Sequence, residues 1–172
     1  SPRLIAWGFS VLMALFDRPA SGLHSQPYLT RYFETIIMAP YPDVKMHMQR
    51  GTLDKKNLGH LRLAMPLFSD AILKASAPID ELTDYLQFYQ LPQDTSNLKL
   101  TAGTTEDHET VIMSWRPTKS LGTVIVVHGY MDHIGLYGHL IRHLLGRQLT
   151  VVCLDLKGHG LSSGAACSIT YF

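Results

Sequence analysis

Several groups of residues in this 172-residue chain have types and spacings that can do chemistry. Gly160-Leu161-Ser162-Ser163-Gly164 spells G-x-S-x-G, the pattern of an elbow that throws a nucleophilic serine onto a strained turn between strand and helix. Gly158, Gly160 and Gly164 follow an apolar run, where a glycine cluster can cradle a pyrophosphate. His139 and His143 stand four apart, the spacing of a metal-binding pair on a helix. Asp132 and His133 are adjacent, and Met46 and Met48 flank His47, a set of soft ligands.

Spacing weighs against most of these. An elbow needs its strand to run into the first glycine and a helix to follow, but Lys157, Gly158 and His159 intervene and residues 165–172 make a poor helix start. A serine nucleophile of this kind also has its acid and histidine later in the chain, whereas the last Asp here is Asp155 and the last His is His159. Ser162 therefore reads as a loop serine. A dinucleotide fingerprint puts its third glycine three positions after the second; Gly164 is four after Gly160 and no Walker A loop is present, so nucleotide binding is the weaker alternative. Between His139 and His143 there is no Glu and no third ligand is evident, so they read as exposed helix histidines and no metal is expected. Asp132 and His133 read as loop-shaping or substrate-rim groups, and Met46 and Met48 as loop or core methionines.

The elements that must position these residues change character along the chain. Leu4 to Phe16 is an apolar run behind Arg3, the length of a signal-peptide core and too short for a membrane span. Two readings stand side by side over residues 1–26: a signal or surface-anchor helix, or an apolar helix packed on the domain. Localisation stays open with them, between the cytoplasm and a membrane-associated or periplasmic place. Residues 27–97 read as helical, with Tyr28 to Met38, Leu58 to Ala75 broken at Pro66, and Ile79 to Tyr89 the clearest segments. From Leu98 the pattern is of strands. Leu98 to Ala102 and Thr110 to Trp115 predict a β-hairpin, and Gly122 to His128 a strand buried on both faces. Ile134 to Leu145 predicts a helix ended by Gly146 as its C′ residue, and Leu149 to Leu156 the next strand. A right-handed βαβ unit follows, with its ligand side at the carboxyl ends of the strands.

Composition limits the partners. There are 15 basic and 14 acidic side chains, spread along the chain, so no field exists to hold a polyanion and no nucleic-acid role is expected. The charged fraction of 17% is low against roughly 25% in soluble domains, which suggests much buried surface or lipid contact. Cys153 lies in an apolar run and Cys167 near the end, so no disulfide framework is implied.

His128-Gly129-Tyr130-Met131-Asp132-His133 after a β-branched strand, then a helix, then a strand ending in Asp155 to Gly164 as D-x-x-G-H-G-x-S-x-G, resembles the α/β-hydrolase fold. The resemblance is to its monoacylglycerol lipase and lysophospholipase branch, the serine aminopeptidase-like hydrolases, and covers about Leu98 to Phe172. It implies an α/β fold class: the amino-terminal part of an α/β-hydrolase domain at residues 98–172, a β-hairpin plus a βαβ unit, preceded by the helical segment. It also implies that the Tyr130 backbone N–H is one oxyanion donor, supported by His128 and Gly129, and that Asp155, Gly158, His159, Gly160, Ser162 and Gly164 shape a structural loop. By the same resemblance the nucleophile, acid and histidine lie beyond Phe172, on and after a strand that pairs with Thr123 to Val127. The chain alone then lacks the triad, is inactive, and leaves an exposed apolar edge at that strand. The parent activity implied is acyl transfer on lipid or other acyl-ester substrates, with no metal or organic cofactor and with peripheral membrane contact open. A noncatalytic binding or membrane-peripheral α/β protein is the rival reading.

Overall fold

The computed structural model describes residues 3–7, 11–17, 58–74 and 79–165, the first two stretches by their backbone. The helix expected at Tyr28 to Met38, the Met46-His47-Met48 cluster and Cys167 lie outside the described residues.

Among the described residues six strands form one sheet: β1 (Arg3–Trp7), β2 (Val11–Asp17), β3 (Leu98–Thr104), β4 (Val111–Pro117), β5 (Gly122–His128) and β6 (Leu149–Leu154). Their order is β1-β2-β5-β6-β4-β3, antiparallel throughout except that β5 and β6 run parallel. The expected hairpin is β3–β4, and the expected βαβ unit is β5, a helix and β6. That connecting helix is a 3₁₀ turn at Ile134–Tyr137 followed by an α-helix at Gly138–Leu145. In the helical region are α1 (Leu58–Ala64), α2 (Phe68–Leu73) and α3 (Leu82–Phe88), with α1 and α2 separated around Pro66. The Gly138–Leu145 helix, α4, packs on β6, and α2 packs on β3.

Strand periodicity builds the core and delivers the site. Leu100, Trp115, Val151 and Val124 form one row across four strands, and Ala102, Met113, Cys153 and Val126 the next; all are buried. Because side chains on a strand alternate faces, two residues further along β5 and β6 the same face carries His128 and Asp155. Both are buried beside Val111 and Thr104. The site residues thus continue the apolar face at its carboxyl end.

Four expectations are corrected. The described residues of the Leu4 to Phe16 run are not helical: Leu4 to Trp7 lie in β1 and Val11 to Phe16 in β2, and β2 pairs with all of β5, from Val11 opposite His128 to Asp17 opposite Gly122. A continuous apolar run has no period that separates helix from strand, and the open N–H and C=O groups of β5 supply a partner. The edge expected to be bare at Thr123 to Val127 is therefore covered. β5 is not buried on both faces, since Thr123, Ile125 and Val127 are half-exposed while alternate residues are buried. Gly146 keeps a right-handed conformation at φ −59°, and the left-handed position falls on Gln148 at φ 59°, just before β6.

Candidate functional site

Parallel pairing of β5 and β6 brings the two glycine turns to one edge of the sheet. Asp155 holds them together. Its Oδ1 accepts the Ile134 N–H at 2.7 Å, from the end of the first turn, and its Oδ2 accepts the Leu161 N–H at 2.9 Å, from the second. The carboxyl group is fully buried, and burial pushes its pKa up to about 6 against the opposing pull of these two N–H groups and of His159. Gly160 makes the clasp possible. It has φ +51°, and a Cβ there would lie 2.1 Å from Asp155 Oδ2.

His128 ties the same two segments through its ring. Nδ1 lies 2.7 Å from the Gly129 carbonyl, which can only accept, so Nδ1 carries the proton; Nε2 then accepts the Leu156 N–H at 2.9 Å. This arrangement needs a neutral ring, and burial lowers the His128 pKa in keeping with it. Asp155 Oδ1 is 4.0 Å from Nε2, too far for a hydrogen bond, so the two are neighbours rather than an ion pair.

The turn after β5 closes with the Asp132 N–H on the Gly129 carbonyl at 3.1 Å. Met131 sits at φ 70°, a conformation a non-glycine residue holds only where its surroundings impose it. Tyr130 and Met131 are 56% and 68% exposed, so the turn meets solvent. Asp132 accepts from the Tyr137 hydroxyl at 2.7 Å. His133 Nδ1 accepts the Gly135 N–H at 3.1 Å and lies 3.3 Å from the Tyr85 hydroxyl. Each thus shapes the loop, and neither is directed at the other. Tyr85, on α3, is a partner that the local sequence around His133 does not mark, and its buried hydroxyl finds there the hydrogen-bond partner that burial demands.

Ser162 is fully engaged. Its Oγ accepts the Val111 N–H at 2.8 Å and donates to the Asp155 carbonyl at 2.6 Å. Ser163 N–H reaches the Glu109 carbonyl at 2.8 Å, and Lys157 pairs with Glu109 and lies 4.0 Å from Asp107. The β3–β4 hairpin is therefore a buttress for the second turn, a contact between distant segments that the sequence did not announce. Gly158 donates to Ser163 at 2.6 Å, closing the loop on itself. With Leu161 N–H committed to Asp155, the loop holds its own carboxylate where a phosphate cradle would hold a ligand. His159 Nδ1 lies 2.9 Å from the Lys157 carbonyl, and its ring stands 5.0 Å from that of His128 and 6.0 Å from that of Tyr130.

Away from this edge, His139 and His143 each meet a guanidinium, of Arg142 and Arg147 respectively. A cation beside each ring opposes a metal there.

Residues 118–172 match the family model described as serine aminopeptidase, S33. An uncharacterized abhydrolase domain-containing protein of Dictyostelium discoideum is 37% identical over 62 residues, 35% of this chain and 7% of that protein. A monoacylglycerol lipase of Mycolicibacterium smegmatis is 41% identical over 51 residues, 29% of this chain and 18% of the lipase. The matches thus span less than a fifth of either relative's length. No solved structure matches the chain. The carboxyl-terminal part of the chain resembles the α/β-hydrolases, as its two turns implied, and its sheet and helices are consistent with part of that fold.

Proposed function

We propose that the chain is the amino-terminal part of a serine hydrolase that cleaves carboxylic esters of lipids, of the monoacylglycerol lipase or lysophospholipase kind. Its own contribution is one half of an oxyanion hole. The observation that carries this reading is the Asp155 clasp, which fixes the Gly129-Tyr130 turn against the loop after β6 at the carboxyl edge of two parallel strands. The similarity of residues 118–172 to the serine aminopeptidase family and of a shorter stretch to a monoacylglycerol lipase supports it.

In this mechanism a serine supplied beyond Phe172 attacks the ester carbonyl while a histidine takes its proton. The developing alkoxide is held by the Tyr130 N–H and by a second N–H after the nucleophile. Gly129 lets the backbone approach the oxyanion, and His128 and Asp155 hold the turn rigid, so that no reorganisation is needed as charge develops. One such donor contributes about 2.7–4 kcal/mol of transition-state stabilisation. Collapse of the intermediate expels the alcohol, which takes its proton from the histidine, and leaves the acyl-enzyme; water, giving a proton to the same histidine, then hydrolyses it to the free acid and restores the serine.

By this reading the 172-residue chain is itself inactive. The noncatalytic alternative is favoured by one feature, the filling of the β5 edge by β2. Treating the purified chain with a fluorophosphonate and a short-chain nitrophenyl ester, beside Ser162→Ala and beside the product of the reading frame continued past Phe172, separates the possibilities. The proposal expects labelling and turnover only in the continued product. Labelling of the short chain that Ser162→Ala abolishes overturns the placement of the nucleophile, and a stop codon directly after Phe172 favours the noncatalytic protein.

A further inference from the structure

Helix α3 lies outside the residues that match the family, yet its side chains are built into the segment that follows the oxyanion turn. Tyr85 is 2% exposed, and its hydroxyl stands 3.3 Å from His133 Nδ1. That nitrogen also receives the Gly135 N–H at 3.1 Å; a backbone N–H can only donate, so Nδ1 is a lone pair and the ring is neutral. The Tyr85 hydroxyl therefore donates to it. Burial and the Asp155 charge push that hydroxyl well above its ordinary pKa, so it keeps its proton. Tyr89, one turn further along the helix, sets its ring edge-on to that of His133, with centroids 4.8 Å apart. Gly135 permits the approach, because a Cβ there would lie 2.6 Å from the His133 ring and 2.7 Å from that of Tyr89. Just past the helix, the Gln90 carbonyl accepts from Arg142 of α4.

His133 is the point on which these contacts converge. It caps the 3₁₀ turn with its side chain while its own backbone is extended, at φ −162° and ψ 167°. It also stands between the two bonds that set the path of the oxyanion turn, the Asp132 N–H on the Gly129 carbonyl and the Ile134 N–H on Asp155. We propose that Tyr85 is a positioning residue of the oxyanion hole: by holding the His133 cap from α3, its hydroxyl fixes the turn that presents the Tyr130 N–H. This rests on the hydrolase reading and extends it to a part of the chain that the family match does not cover. An oxyanion donor must be in place before charge develops, so a turn braced from behind contributes to the transition state more than to the binding of the ester.

Two measurements test it. Tyr85→Phe keeps the ring and its packing and removes only the hydroxyl. On the 172-residue chain, histidine ¹⁵N resonances and amide exchange are compared with wild type. The His133 Nδ1 resonance is expected to shift as it loses a donor, and the Asp132 and Gly135 amides to exchange several-fold faster while Val126 in β5 and Val151 in β6 keep their rates. Faster exchange at Gly135 without Asp132 overturns the proposal, since the hydroxyl then holds its neighbour and not the turn. Equal acceleration at all four amides, which reports general destabilisation, or no change at any, overturns it too. On the product of the reading frame continued past Phe172, Tyr85→Phe is expected to lower kcat about fivefold with KM kept, the worth of one ordinary hydrogen bond. Gly135→Ala, which pushes on the His133 ring from the other side, is expected to give the same split. A wild-type kcat in either variant, or a change in KM alone, means a purely structural Tyr85. If the continued product hydrolyses nothing, the hydrolase reading falls, while exchange on the short chain still decides whether α3 holds the turn.

Discussion

The hydroxyl of Ser162 donates to the backbone carbonyl of Asp155 at 2.6 Å, and its oxygen receives the Val111 N–H at 2.8 Å. A serine so placed is a strut between the start of β4 and the end of β6, not an alcohol awaiting a base. Ser162→Ala leaves a donor and an acceptor without their partner, and is expected to destabilise the chain by about 1–3 kcal/mol. Urea denaturation reads this directly. A variant as stable as the parent would show that water replaces both bonds at no cost.

Asp155 gives the chain a pH dependence whose sign follows from its burial. Its folded pKa of about 6 lies above the ordinary carboxyl value of 3.8, so the folded state holds the proton more tightly than the unfolded one. The Asp155 contribution is therefore most favourable below the ordinary value and declines as pH rises to about 6, by at most about 3 kcal/mol. His128 and His133, lowered by burial, slope the other way: their contribution is present above 6.5 and is lost as pH falls through their folded values. Both histidines remain in Asp155→Asn and drop out of the comparison. The stability difference between wild type and this variant should accordingly shrink between about pH 4 and pH 7. A difference that stays level over that range removes the raised carboxyl from the argument.

Gly160→Ala tests the clasp from the other side. The added methyl would meet Asp155 Oδ2 at 2.1 Å on a backbone at φ +51°, so both contact and conformation oppose it. A loss of more than about 2 kcal/mol is expected, with the Ile134 and Leu161 amides exchanging faster as the carboxylate is pushed aside. Unchanged exchange at those two amides would mean that the loop absorbs the methyl without releasing Asp155.

The two turns and the strands that carry them were legible because their signals are local. A β-branched run ending in His128-Gly129, and another ending in Asp155 before a glycine loop, say where strands stop and backbone turns. Alternation along Val124, Val126, His128 and along Val151, Cys153, Asp155 even places the last member of each on the core face. Partners remote in sequence were not legible. Nothing near His133 points to Tyr85, 48 residues earlier, and nothing near Ser162 points to Val111. Gly146 shows a smaller failure of the same kind: glycine is the easiest residue to place left-handed, yet the turn into β6 puts that conformation on Gln148.

The amino-terminal run is the strongest case of a distant partner deciding local structure, and it yields a direct test. Successive amides of a strand point to opposite sides, so in β5 one set bonds β6 and the other bonds β2. If Leu4 to Phe16 formed a helix or stood apart as a leader, the second set would face solvent and exchange freely. With β2 paired from Val11 to Asp17, both sets are expected to be protected, and Ala14→Pro should release the β2-facing set around Ile125 while sparing the β6-facing one. Hydrogen exchange on the purified chain, resolved by residue, decides it. Free exchange at every second amide from Thr123 to Val127 in the wild type would show the edge to be open, and with it a sheet ready to accept another strand there.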